Sequence, residues 1–199
     1  LVPNSETSPR PTLWSGGSRF NLGLPSGFTE GTCNALNDYG QRVGNATQNG
    51  SPFTRHAVLY NALLGAKDLN QLVSQNSGVV ITDAFSISNS GYIAASCNGA
   101  TACLLEPNFI LILKKYIFAL EQGDPGCIQC RTVLIPEARS LPESLSDLTP
   151  TQQKRTIATV DLITIQLRQL EPARQITGPQ TRILLHQSQL VINAIRTAR

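Results

Sequence analysis

Apolar and polar positions change rhythm once along this chain, near residue 107. Before that point short apolar runs alternate with polar residues and are cut by Gly, Asn, Asp and Ser. That is the period-two pattern of half-buried strands joined by tight turns. After it, apolar residues recur at three- and four-residue spacing, the stripe of a helix that buries one face. The pattern predicts an α+β chain with segregated halves. A β-rich repeat region spans residues 1–107, a connecting segment 108–150 and a helical region 151–199.

The first half repeats itself. "TLW" at 12–14, "VLY" at 58–60 and "CLL" at 103–105 recur about 45 residues apart, which places Trp14, Tyr60 and Leu105 at one repeat position. Leu36-Asn37-Asp38-Tyr39-Gly40 aligns with Ile87-Ser88-Asn89-Ser90-Gly91, and Val43 with Ala94. Asn21-Leu22-Gly23 aligns with Asp68-Leu69-Asn70, with about five residues inserted in the second unit. Gly40 and Gly91 suit the positive φ of a tight hairpin turn, which has no Cβ cost in glycine. The residues expected to build the repeat and its core are Trp14, Leu36, Gly40, Val43, His56, Leu59, Tyr60, Leu69, Ile87, Gly91 and Ile93. Units of this size with three or four strands match propeller blades, which must stack on neighbours to bury their faces. Two full units and the start of a third cannot close a ring. Missing blades are therefore expected from the rest of the chain or from partner protomers.

Beyond residue 107 the stretch "FILILKKYIFAL" (109–120) fits either a strand or a helix. It is well short of the ~20 apolar residues that a spanning helix needs, so the chain is not expected to span a membrane. "RTVLIPEARSLPESLSDLTP" (131–150) holds three prolines and reads as an extended linker. Thr149-Pro150 then opens a helix with Ile157, Val160, Ile163, Leu167 and Leu170 on one stripe, ending at Glu171-Pro172. "TGP" at 177–179 starts a second helix with Leu184, Val191 and Ile195 on one side. The two stripes suit a helical hairpin or a dimer seam.

Composition narrows the function classes. Hydrophobic content of 41% and charged content of 15% describe a globular chain. A net charge of +3 is too small to imply a nucleic-acid partner. The excess lies late, in Lys154, Arg155, Arg168, Arg174, Arg182, Arg196 and Arg199 against Asp161 and Glu171. Solvated helix faces account for it, and an acidic partner or lipid headgroups are the alternative. Low charge with abundant Ser, Thr, Asn, Gln and Gly is a tendency of exported proteins. The absence of methionine leads us to expect a processed or partial chain.

Candidate chemistry is sparse. Cys97 and Cys103 flank "NGATA", a turn that brings them within disulfide reach. Cys127 and Cys130 form a CxxC after a turn, which suits a structural disulfide in an oxidising compartment, with thiol redox chemistry as the rival. Zinc would need two further ligands, which finger-like spacing does not supply; no metal or cofactor is expected. Cys33 is left over. No nucleophile elbow, zincin, Walker or dinucleotide fingerprint occurs, and the two histidines are His56 and His186. Asn37-Asp38 and Asp68 offer oxygen ligands for calcium, but turn hydrogen bonds are the commoner use. Asn45-Ala46-Thr47 and Asn49-Gly50-Ser51 are glycosylation-acceptor patterns.

"ALNDYGQRVGNA…RHAVLYN…KDLNQLV…AFSISNSGYIAA" resembles the HAF repeats of bacterial extracellular proteins. The family's hallmarks are an Asn-rich hairpin ending in Gly-x-hydrophobic-hydrophobic-Gly, then His-Ala-hydrophobic-aromatic, then Asp-Leu. Gly40–Gly44, Arg55-His56-Ala57-Val58-Leu59-Tyr60 and Asp68-Leu69 carry the likeness, over residues 12–107. The second unit departs with Ala95 in place of glycine, and the third reads "TACLLEP" in place of His-Ala. The resemblance implies secretion and a β-propeller-like stack, with no established catalytic site. The expected function is a non-catalytic exported binding or structural module in a surface or envelope-associated assembly. Its expected partners are other chains or copies of itself, through open blade edges and the C-terminal helices. The alternatives are a propeller-type hydrolase or lyase on extracellular polymers, and a thiol redox accessory protein using the CxxC.

Overall fold

The change of rhythm near residue 107 is also where the chain divides: Leu1–Glu106 and Pro107–Arg199 form two units, the first of strands and the second of helices. The computed structural model describes residues 8–49, 53–73, 78–123, 130–146, 148–170, 172 and 176–197. Cys127 lies outside them.

Among the described residues of the first unit, nine strands form three antiparallel sheets. β1 (Thr12–Ser15) and β2 (Ser18–Asn21) make a two-stranded ribbon. β3 (Glu30–Leu36), β4 (Arg42–Gln48), β5 (Thr54–Asn61) and β6 (Gly65–Asp68) make a four-stranded meander. After a 3₁₀ turn at Leu69–Gln71 come β7 (Ile81–Ile87), β8 (Ile93–Cys97) and β9 (Thr101–Leu105), a three-stranded sheet. All three sheets are open; among the described residues they close no barrel or propeller ring.

The middle sheet is buried on both faces, so β4 and β5 read as near-continuous buried runs. Val43, Ala57 and Leu59 face the last sheet and pack with Leu69, Ile81, Ala84, Ile87, Ile93, Ala95 and Cys97. Ala46, Val58 and Tyr60 point the other way, against Leu22, Leu24 and Phe28 of the segment that follows the ribbon. The sheets are thus stacked layers joined by apolar side chains, the arrangement that a repeat needs to bury its faces.

Two positions expected in the core are not in it. Trp14 is 70% exposed and Leu36 63% exposed. Leu36 pairs through Arg42 with Tyr60, in the row that faces away from the last sheet, and it is not part of the cluster around Tyr60. Trp14 sits on the ribbon, which has no further strands of its own to extend over it.

In the second unit the 109–120 stretch is helical: α1 spans Phe109–Gly123. Asn108 fixes its start, its Oδ1 accepting from the Leu111 amide at 3.1 Å, and Ile110, Leu113, Ile117 and Leu120 form the buried stripe. The expected extended linker at 131–150 is also corrected. It carries one turn of π-helix at Cys130–Leu134 and the short α2 (Ile135–Ser140). Pro136 falls in the first turn of α2, where a missing N–H costs nothing. α3 (Pro150–Leu170) and α4 (Gly178–Thr197) pack against each other and begin with the same device. Thr149 and Gln152 bond reciprocally, side chain to amide, as do Thr177 and Gln180. Lys114 is buried, held by Glu143 and the Leu141 carbonyl. No helix among the described residues is long and apolar enough to cross a membrane.

Gly44 marks where β4 comes closest to β3. A Cβ there would sit 2.0 Å from the Thr32 carbonyl oxygen, a backbone atom that cannot swing away. Gly44→Ala is therefore expected to destabilise the first unit by about 1–3 kcal/mol, the usual cost of forced overpacking. Chemical denaturation monitored at the strand signal checks this, and an unchanged midpoint would contradict the close approach.

Candidate functional site

Polar side chains of the first unit gather where the middle sheet meets the last. The β3–β4 and β7–β8 hairpins close with the same turn. Gly40 N–H donates to Asn37 O at 3.1 Å and Gly91 N–H to Ser88 O at 3.0 Å, with φ of 74° and 85° at the two glycines. The Asn37 Oδ1 accepts from the Tyr39 and Gln41 amides, and the Ser88 Oγ accepts from the Tyr92 amide. These are side-chain mimics of a backbone turn.

The two turns are bonded to one another. Asn37 Nδ2 donates to Ser88 O at 3.0 Å, Asp38 N–H to Asn89 Oδ1 at 3.1 Å, and Asn89 Nδ2 to Asp38 Oδ2 at 2.8 Å. Each bond joins residues 51 apart, so a turn position in one repeat meets its counterpart in the next. Further along, the β3 bulge residue Asn34 donates from Nδ2 to Ala84 O at 2.9 Å. The directional bonds fix the register of two sheets whose apolar packing alone would allow sliding.

A second set of bonds ties the chain between the sheets. His56 Nδ1 lies 2.7 Å from Asp68 Oδ2, while Asp68 Oδ1 accepts from the Asn70 amide and from Asn70 Nδ2. Asn70 then pairs with the backbone of Ile81 at the start of the next repeat, Nδ2 to Ile81 O at 2.9 Å and Ile81 N–H to Oδ1 at 2.7 Å. The Phe28 ring stands 5.3 Å from the imidazole. Thus His56 and Asp68, from the His-Ala and Asp-Leu segments, are brought together with Asn70 into one strap from β5 to β7. Sequence reasoning missed Asn70 and Phe28; the position of Asn70 two residues after Asp68, as in an Asx turn, was the available signal.

Beside the strap lies an open cleft of about 550 Å³, lined in part by Phe53, Arg55, His56, Val80, Thr82 and Asp83. Arg55 and Asp83 form a bidentate ion pair across it, with Nε to Oδ2 at 2.9 Å. The Asp83 contact holds the guanidinium proton more tightly than usual. The His56–Asp68 contact has the geometry by which a carboxylate orients a catalytic imidazole, but no hydroxyl or thiol is hydrogen-bonded to His56 among the described residues. Nor, among the described residues, do His, Cys, Asp and Glu cluster in a group of three able to hold a metal. The oxygens of Asn37, Asp38 and Asp68 all accept hydrogen bonds in turns or between repeats. Asn45 is buried and donates to Thr32 Oγ1, so the first glycosylation pattern lies inside the sheet.

The remaining site residues are structural in placement. Cys97 and Cys103 form a disulfide that closes the β8–β9 hairpin, with α-carbons 6.0 Å apart. A bridge across so short a loop contributes about 2 kcal/mol by restricting the unfolded chain. Cys130 is disulfide-bonded. Leu69, Ile87 and Ile93 lie in the inter-sheet core, and His186 is half-buried on α4. Tyr60 is buried and its phenol is pushed up by that burial.

Cys33 is a free thiol, partly buried in β3, and burial pushes it above the ordinary thiol range despite the nearby Arg42 guanidinium. The neutral thiol is the favoured form. Alkylation of native Cys33 is therefore expected to be slower than that of a model thiol at neutral pH, and to accelerate only above the ordinary range near about 8.5. A rate already at its plateau at neutral pH would contradict this. Separately, Asn70→Ala removes both bonds to Ile81 and is expected to cost about 1–3 kcal/mol in denaturant melts; a neutral effect would show that the strap does not hold the sheets. Comparison with protein families, with curated proteins and with solved structures finds no match to this chain.

Proposed function

We propose that this chain is a non-catalytic exported repeat protein, a binding or structural module of the HAF-repeat type. Its sheets are successive blades of a propeller-like stack, completed by other chains or further copies in a surface or envelope-associated assembly. One observation carries the reading. The residues with the chemistry of a site, His56, Asp68, Asn70, Asn37, Asp38 and Asn89, are hydrogen-bonded to one another or to the next repeat's backbone. Their chemistry joins repeats. The disulfide on the last hairpin supports an oxidising destination.

The rival with a specific observation behind it is hydrolysis at the cleft, since His56, bonded to Asp68, lies at its wall. A panel of extracellular polysaccharides and carboxylic esters decides between them. No turnover is expected. His56→Ala, which leaves the buried Asp68 without its imidazole partner, is expected to lower stability by about 1–3 kcal/mol. Turnover that His56→Ala abolishes while the fold persists would establish the hydrolase instead.

A further inference from the structure

The last sheet ends the stack on a face whose counterpart in the middle sheet is covered. Register equates Val43, Ala57 and Leu59 with Ala94, Ala102 and Leu104: Val43 pairs with Leu59 as Ala94 does with Leu104, and Asn45 with Ala57 as Ser96 does with Ala102. The first three are buried beneath the last sheet. Ala94, Ala102 and Leu104 are exposed, Leu104 by 68%. One of the two β7 bulges repeats that of β3. β3 bulges at Asn34 and β7 at Phe85, again 51 positions on (85 − 34), and where Asn34 reaches across to the next sheet Phe85 stands 55% exposed.

The other end of the stack is incomplete in a complementary way. β1 and β2 reproduce the register of β5 and β6, Thr12 opposite Asn21 as Val58 is opposite Asp68, and Trp14 opposite Arg19 as Tyr60 is opposite Ala66. The ribbon is thus the outer half of a repeat, with Trp14 in the place of the buried Tyr60. A two-stranded ribbon is marginal by itself, and this one exposes Phe20 as well as Trp14.

We propose that the open face of the last sheet receives the β1–β2 ribbon of a second copy of this chain. The inference rests on the repeat-module reading above and names its partner. Ala94, in the row between Phe85 and Leu104, and Ala102, two residues from Leu104 along β9, supply a shallow floor of small side chains, and Trp14 of the second copy seats on it. The contact continues the order in which sheets already follow one another within the chain. Because the two ends differ, association is head to tail, closing into a ring or running on as a filament.

Trp14 is the only tryptophan, so its emission reports the contact directly. The full-length chain, followed by sedimentation velocity over a concentration series, is expected to self-associate with a blue shift of that emission. Trp14→Ala and Leu104→Glu are each expected to weaken association about 30-fold or more, as loss of a central anchor does. Mixed in equal amounts they should form a one-to-one heterodimer, since the first keeps its last sheet and the second keeps its ribbon. Far-UV circular dichroism and an intact Cys97–Cys103 bridge establish that each variant folds, and Trp14→Ser with Ala102→Arg replace any that does not. A wild type that stays monomeric, association that both single variants retain, or a mixture that fails to pair would each overturn the proposal. Monomeric protein without turnover removes only this inference; turnover lost with His56 removes the module reading instead.

Discussion

Everything in the first unit depends on how one sheet is held against the next. Burial of Val43, Ala57 and Leu59 against Ile81, Ala84, Ile87 and Ile93 supplies the non-directional part of that attraction. It does not specify alignment, because apolar surfaces gain nearly as much when displaced by a residue pair. Alignment comes from amides that find a fixed acceptor: Asn34 on Ala84, Asn37 on Ser88, Asp38 with Asn89. The inter-sheet layer is filled with Val, Ala and Ile, while polar side chains at the rim carry the information about which sheet sits where.

The same logic reassigns residues that look chemical in isolation. A histidine near an aspartate in a cleft has the raw material of acid–base work. Here the second carboxylate oxygen is committed to Asn70, and Asn70 to the backbone of the next strand, so the imidazole is one anchor of a strap across the inter-sheet loop. Arg55 and Asp83 do likewise from β5 to β7 on the opposite face of the same strand.

Much of the architecture was legible in the chain because it rests on local rules. Period-two alternation, Gly-closed turns and the Thr-Pro helix start act over a few residues, and the sheet unit followed by helices came from them. The cysteine pair around "NGATA" was legible for the same reason. What escaped was in part non-local and in part a matter of where a single cap or proline falls. Trp14 and Tyr60 share a register position, yet the sequence does not say that only Tyr60 has a neighbouring segment to cover it. The helicity of 109–120 turned on Asn108, a single capping side chain beside an ambiguous apolar run. In the 131–150 segment Pro136 and Pro150 fall in first helical turns, where a proline is as well suited as in an extended linker, so composition alone does not separate the two. Asn70 was invisible as a strap because its partner, Ile81, lies in the following repeat.

The disulfide between Cys97 and Cys103 acquires a different meaning from its position. In the middle sheet β5 is flanked by β4 and β6, whereas among the described residues β9 pairs with β8 alone. An edge hairpin lacking its fourth strand is the part of a stack most prone to fray. The covalent link lies across that hairpin, where an interior sheet relies on a further strand. It acts as a terminator rivet: the array can stop after three strands and still present a firm end, and that firmness lasts only as long as its surroundings stay oxidising.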